Sequence, residues 1–438
     1  MESFAQWVER QYSYAATAML KSVSRVDLVK TRPGFGQAVR PAKGSIIASP
    51  VLASYDPDPD YFFHWYRDSA VVIDALRLLF EAGVAAPGAL DQLADFTRFS
   101  LSLHKLDGRS LVTNAAWRSN VVPGFVQYVR DEADLASARG ETVVADTRVN
   151  PDGTLDISRW ARPQHDGPPL RALAMMRWAR SVKLEAGLAA EISELIHADL
   201  AFTYKHWREP SFDIWEEEQG EHYYTLSVAA AALEAGADWL RDDTKARDEA
   251  ASYRADAALI RRKLDGFWMP AAGHYASRVL TSGARSTKEL DIAVILAAIH
   301  TGNHSNAHSV HDPRMHATLA RLEELFVEAY PINRNRSAGP AMGRYAGDVY
   351  YSGGAYYFST LGAAEFCFRA AAGSEAAAAW IKRGDAYLAT VQTFTPASGE
   401  LSEQFDQRTG EQTSAKHLAW SYAGFISCVA ARRAVVGN

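Results

Sequence analysis

Cysteine is scarce. Cys367 and Cys428 are the only two in 438 residues, and both fall inside apolar stretches of helical periodicity. No disulfide framework can be built from such a pair, and each thiol is expected to behave as a small buried hydrophobe. An excess of either charge is missing as well. The formal net charge is −6 with both signs scattered along the chain, so no basic stripe is present to neutralise phosphates, and nucleic acid is excluded as a partner. No run approaches the roughly 20 apolar residues that span a bilayer, which excludes a membrane partner. The N-terminus, Met1 to Trp7, has no basic segment followed by an apolar core, so it does not resemble a secretory signal and the expected compartment is the cytoplasm. Isolated glycines form no phosphate-cradling loop, and no Ser–His–Asp or Cys–His arrangement stands out. No linker or tandem repeat divides the chain, so one domain over 1–438 is expected.

What is abundant is material for a helical core. The apolar fraction is 48% and the charged fraction 22%, an ordinary globular balance. Apolar residues recur with helical spacing over 2–22, 67–83, 88–106, 169–186, 188–207, 221–238, 243–268, 289–300, 313–330, 352–371, 374–394 and 414–435, while alternating strand patterns are short and sparse. The stretch Ala70 to Phe80 is apolar nearly all round, whereas 243–268 carries many charges between its apolar positions; inner and outer helices would differ that way. Six inner helices ringed by six outer ones form an all-α (α/α)6 barrel. Gly83, Gly187, Gly236 and Gly373 are expected to close helices through positive φ. Between the helices, the long stretches 23–66, 107–168, 269–288, 331–351 and 395–413 are where chemistry is expected.

Two acidic clusters lie beside aromatic rings and far apart in sequence: Asp213-Ile214-Trp215-Glu216-Glu217-Glu218 and Leu401-Ser402-Glu403-Gln404-Phe405-Asp406. A carboxyl group against an apolar ring is partly desolvated, which raises its pKa and lets it hold a proton near neutral pH. If the fold sets the clusters face to face, they supply the general acid and general base of glycoside hydrolysis. Taken singly, each has a plainer explanation: a solvated acidic run near a helix N-terminus, or a surface turn.

Three further segments carry ligand-binding chemistry. Asp58 to Ser69 places Tyr61, Trp65, Arg67 and Asp68 in a proline-broken loop running into an apolar helix, and aromatic faces with charged donors suit a sugar. The polar run Arg159 to Pro169 offers Trp160 and Arg162, and Ala341 to Tyr351 offers Arg344 and Tyr350. By contrast His300, His304, His308, His311 and His316 lack interspersed carboxylates apart from Asp312 and are read as structural, so no metal and no cofactor is expected.

In order along the chain, these segments resemble the glucoamylases of glycoside hydrolase family 15, most closely the fungal type of catalytic domain. The motifs are Asp58-Pro-Asp-Tyr61-Phe with Trp65-Tyr-Arg67-Asp68-Ser, then Trp160-Ala-Arg162-Pro-Gln-His-Asp-Gly-Pro, then Asp213-Ile-Trp215-Glu216-Glu217. They continue with Gly343-Arg344-Tyr-Ala-Gly-Asp348 and Ser402-Glu403-Gln-Phe-Asp, and end in Leu418-Ala-Trp420-Ser-Tyr-Ala. The resemblance implies an (α/α)6 barrel and exo-acting, inverting hydrolysis that releases β-glucose from non-reducing ends of α-1,4-linked gluco-oligosaccharides. It also implies Glu216 as general acid, Glu403 as general base and Glu217 as a ligand of the sugar beyond the cleaved bond. Arg67 and Asp68 would grip the terminal glucose, with Arg344 as a further binding arginine. Tyr61, Trp65, Trp160, Trp215 and Trp420 would line the pocket, and inversion needs carboxyl groups about 6.5–9.5 Å apart.

Two departures bear on specificity. Asp156 stands where the fungal pattern has tyrosine, four residues before Trp160, and Ala355-Tyr356-Tyr357-Phe358 replaces Asn-Pro-Trp-Phe after Tyr350. Linkage is therefore left open between α-1,4 and isomaltose-like or trehalose-like bonds. A non-catalytic sugar-binding protein is opposed by the intact Glu216 and Glu403, and a polysaccharide lyase, which would bind uronates through many cations, by the near-neutral net charge. No segment is left for a starch-binding domain, so short soluble oligosaccharides are the expected substrates. The protein is expected to be a monomer.

Overall fold

The computed structural model describes residues 2–55, 57–84, 88–241, 244–302, 307–336 and 339–436. Twelve long helices, one in each segment expected from periodicity, build it among the described residues. They are α1 (Phe4–Leu20), α2 (Tyr66–Glu81), α3 (Ala89–Leu103), α4 (Gly167–Ser181), α5 (Ala186–His206) and α6 (Tyr223–Trp239). The second half holds α7 (Arg247–Asp265), α8 (Ala293–Thr301), α9 (Pro313–Ala329), α10 (Tyr357–Ala371), α11 (Ala377–Phe394) and α12 (Ala419–Val436).

The even-numbered helices form the inner ring. Each packs on the next, and α12 returns to α2 to close the circle, while every odd-numbered helix packs outside an inner neighbour. Burial separates the two sets as amphipathicity requires. In α10, all twelve residues from Tyr357 to Phe368 are buried. In the outer α7 the buried positions are Ala250, Tyr253, Asp256, Ala257, Ile260 and Leu264, a single stripe three and four residues apart. Cys367 and Cys428 are free, buried in α10 and α12. No described helix is long and apolar enough to cross a membrane.

Connectivity decides where a site can form. The links that leave inner helices for outer ones are short, as between α4 and α5, whereas those returning to the N-termini of inner helices are long. All the long connections therefore gather at one end of the barrel. Short two- and three-stranded sheets stiffen them there, including His64–Trp65 with Arg148–Val149, and Ala355–Tyr356 with Gln404–Phe405. The segment before α6, not counted among the long stretches, belongs to the same end.

Two of the four glycines expected to close helices do so: Gly83 and Gly373 follow α2 and α10 at φ 67° and 70°. Gly187 instead lies in the first turn of α5, and Gly236 lies inside α6. At Gly236 the reason is packing. A Cβ there would sit 2.5 Å from Leu200 Cδ1, on a fully buried side chain of α5. At Gly424, in α12, the nearest atoms would be 3.8 Å away. Gly236→Ala should therefore destabilise the fold by about 1–3 kcal/mol through overpacking. Gly424→Ala should instead stabilise it by about 0.5–1 kcal/mol through helix propensity. Thermal or urea unfolding of the two variants checks the contrast in sign.

Candidate active site

The run Asp213–Glu218 is neither helical nor a solvated face. It is the turn of a hairpin between Ser211–Phe212 and Gln219–His222, with Arg278–Leu280 as the third strand. Asp213 organises it: Oδ1 accepts from the backbone N–H of Trp215 at 2.9 Å and of Glu217 at 3.0 Å, and its carbonyl accepts from Glu216 N at 2.9 Å. Glu216 takes φ 65°, a left-handed conformation uncommon outside glycine. Its neighbours are consumed elsewhere. Buried Arg278 donates to Asp213 Oδ2 at 2.6 Å and Glu218 Oε2 at 2.9 Å and pairs with Asp291, which also accepts from Trp215 Nε1 at 2.8 Å. Glu217 accepts from Arg344 at 2.9 Å, Lys288 at 2.7 Å and Tyr345. Glu216, free of those partners, turns to the cavity, where Oε1 accepts from Trp65 Nε1 at 2.8 Å and Arg67 at 3.0 Å, and Oε2 from Trp160 Nε1.

Glu403 comes from the loop before α12. Its backbone N–H donates to Ala415 O at 2.7 Å, its carbonyl accepts from Tyr357 N, and its carboxylate accepts from Ser414 Oγ and from Tyr61 OH at 3.2 Å. Tyr61 OH also bonds Tyr350 OH at 2.8 Å. Burial pushes Glu403 up to about 7, against the opposing pull of the Ser414 hydroxyl and the Arg344 charge. Desolvation thus lifts the carboxyl of the second acidic cluster. Burial likewise raises Asp68 and Asp166 to about 6, although both face Arg67, at 3.3 and 3.5 Å.

Both glutamates line one cavity with about 800 Å³ of unfilled space, its mouth included. One wall is a stack in which Phe358 and Trp420 lie 4.4 Å apart and 8° from parallel, with Trp215 against both at 5.9 and 6.4 Å. Tyr61, Trp65 and Trp160 form the other. Arg67, Asp68, Glu217, Arg344 and Tyr350 also line it. Flat faces beside a ring of charged donors and acceptors suit a polar ligand with C–H faces.

Arg162 is the exception among the expected ligand-binding residues. It does not line the cavity, because Asp146 and Asp156 hold it at 3.1 and 2.9 Å behind the wall. Three of the histidines are engaged in the protein's own contacts: His300 Nδ1 lies 2.7 Å from Tyr224 OH, His308 Nδ1 3.0 Å from Tyr223 OH, and His316 Nε2 2.7 Å from Val310 O. His304 lies outside the described residues. No group of three or more histidine, cysteine, aspartate or glutamate side chains among the described residues is placed to hold a metal. Sequence reasoning missed Arg278, Asp291, Ser414, Phe358 and Arg148. None carries a local signature, since each matters only through contacts made across the fold.

The profile described as Glycosyl hydrolases family 15 matches residues 34–87, 146–382 and 372–430. A probable glucoamylase of Schizosaccharomyces pombe is 28% identical over 482 residues, covering 100% of this chain and 93% of that protein. Glucoamylase 1 of Rhizopus oryzae is 26% identical, covering 97% and 70%. The intracellular sporulation-specific glucoamylase of Saccharomyces cerevisiae is also 26% identical, covering 97% and 85%. Among solved structures, the glucoamylase from Saccharomycopsis fibuligera superposes with a TM-score of 0.79 at 22% identity, covering 99% of this chain and 96% of that one. That from Hypocrea jecorina gives 0.78 at 23%, covering 99% and 73%. These superpositions share the (α/α)6 barrel.

The raised carboxyl predicts an inverse link between stability and ionisation. Between the ordinary value of 4.5 and about 7, folded Glu403 keeps a proton that the unfolded chain has released. The contribution of Glu403 to stability should therefore fall as pH rises through that window. Glu403→Gln, which cannot ionise, should match wild type below pH 4.5 and exceed it above pH 7 by on the order of 2–3 kcal/mol. Denaturant titrations across that pH range measure the difference.

Proposed function

The chain belongs to glycoside hydrolase family 15, and from that membership we propose that it is an inverting, exo-acting α-glucosidase of the glucoamylase type, acting on short α-1,4-linked gluco-oligosaccharides. The observation that carries the proposal is the meeting of Glu216 and Glu403, brought from loops far apart in sequence, in one cavity. Arg67 and Asp68, which line the cavity from the first turn of α2, hold the hydroxyls of the terminal glucose, and the aromatic walls take its C–H faces. Glu217 and Arg344, already paired to each other, face the sugar on the leaving side.

The geometry then divides the chemistry. Glu216 gives its proton to the glycosidic oxygen as the bond to the anomeric carbon breaks. Glu403 takes a proton from a water that attacks that carbon on the opposite face, which yields β-glucose and requires carboxyl groups about 6.5–9.5 Å apart. A base poised near neutrality suits proton abstraction from water, and the pull of burial on Glu403 supports this role. Tyr61, tied to Tyr350, fixes the direction of the accepting oxygen.

The two departures from the fungal pattern, Asp156 and the run Ala355-Tyr356-Tyr357-Phe358, are buried, and of these residues only Phe358 lines the cavity, which supports the α-1,4 reading. The same reading makes the protein a monomer, and its buried free thiols suit the cytoplasm.

Proton NMR of the first glucose released from maltose should show the β anomer, and initial α-glucose would reject inversion. Initial rates on maltose and maltotetraose should exceed those on isomaltose and trehalose. Glu403→Gln should lower kcat on maltose by about 10²–10⁴-fold with the cavity intact.

A further inference from the structure

Asp156 touches no part of the cavity, yet contacts that fix one wall converge on it. Its Oδ2 accepts from Arg148 Nε and from Arg162, each at 2.9 Å, and its Oδ1 accepts from the backbone and hydroxyl of Ser158 at 2.8 and 2.7 Å. Arg148 is buried and further tied to Ser158 Oγ at 3.1 Å. So held, its guanidinium carbon lies 3.6 Å from the centre of the Trp160 ring, 4.0 Å from Phe63 and 4.9 Å from Trp65.

Trp160 is 40% exposed, too open for packing alone to fix its ring. What holds it is Arg148 on its face, the edge of Trp65 at 6.5 Å, and its own N–H donated to Glu216. Trp65 donates to the other oxygen of the same carboxylate. A cation on the face of an indole attracts its π electrons and strengthens the N–H as a donor.

We propose that Asp156 is a positioning residue for acid catalysis: it clamps Arg148 against Trp160 and Trp65, and those two indoles aim the Glu216 carboxyl at the glycosidic oxygen. The proposal rests on Glu216 being the general acid. Its consequence depends on the leaving group. With maltose, the proton of Glu216 must reach the oxygen as the C–O bond breaks. With α-glucosyl fluoride, the C–F bond breaks to release fluoride, which needs no proton, while water still attacks the anomeric carbon and loses its proton to Glu403.

The test compares kcat/KM on the two substrates for wild type and for Glu216→Gln, Asp156→Asn, Asp156→Glu, Arg148→Lys and Trp160→Phe. Asp156→Asn should lose about 10- to 100-fold on maltose and stay within about threefold of wild type on the fluoride. Asp156→Glu should restore maltose activity, because it returns the charge that clamps Arg148. Trp160→Phe, which keeps a ring but lacks the donor, should show the same bias as Asp156→Asn. Should Asp156→Asn lose its cooperative thermal transition, Arg148→Lys decides by the same ratio, since an ammonium still pairs with Asp156 but cannot lie flat on an indole. Glu216→Gln separates the two possible failures. If it loses both substrates alike, Glu216 is not the acid and the proposal falls with that assignment. If Glu216→Gln spares the fluoride while Asp156→Asn and Trp160→Phe lose both substrates equally or neither, the positioning role is overturned.

Discussion

One guanidinium governs the site. Arg278, 4% exposed on the strand beside the acid hairpin, gathers Asp213, Glu218 and Asp291, and those three fix the turn, the far glutamate and the Trp215 ring in turn. A triple glutamate left to itself would spread into water by mutual repulsion. Here Arg278 and Arg344 claim Glu218 and Glu217, the turn backbone is forced through a left-handed residue, and Glu216 is left to face inward. A charge buried with partners this well made costs several kcal/mol if either side is removed, so the hairpin has one arrangement rather than an ensemble.

The cavity stands against the grain of the fold around it. Glu403, Asp68, Asp166 and Asp291 are all carboxyls raised by burial, which means the folded state resists their ionisation. The closed ring of inner helices offsets that penalty with a core that runs through α2, α4, α6, α8, α10 and α12. The barrel thus supplies the stability and its loop end spends it on chemistry, a division that topology enforces by sending every long return to one end of the ring.

Much of this was legible before any coordinates. The twelve helices followed from 3.6-residue periodicity, and the contrast between Ala70–Phe80 and 243–268 separated inner from outer helices, because a helix covered on all sides must be apolar on all sides. Gly236 was misjudged because a glycine that makes room for Leu200 on another helix looks, in one dimension, like a helix stop. Arg162 was misjudged for a related reason: an arginine beside tryptophan in a polar loop reads as a ligand until Asp146 and Asp156 are seen to occupy it.

The chain by itself determined its helical period, the placement of its two cysteines in apolar helices, and the family motifs that carry Glu216 and Glu403. Those are properties of neighbours in sequence. Only the tertiary structure decided how three consecutive glutamates divide between the cavity and Arg278, which carboxyl burial lifts toward neutrality, and that Arg148, Asp156 and Arg278 lie behind the walls. Orientation, desolvation and ion pairing depend on which groups meet across loops that sequence separation does not reveal.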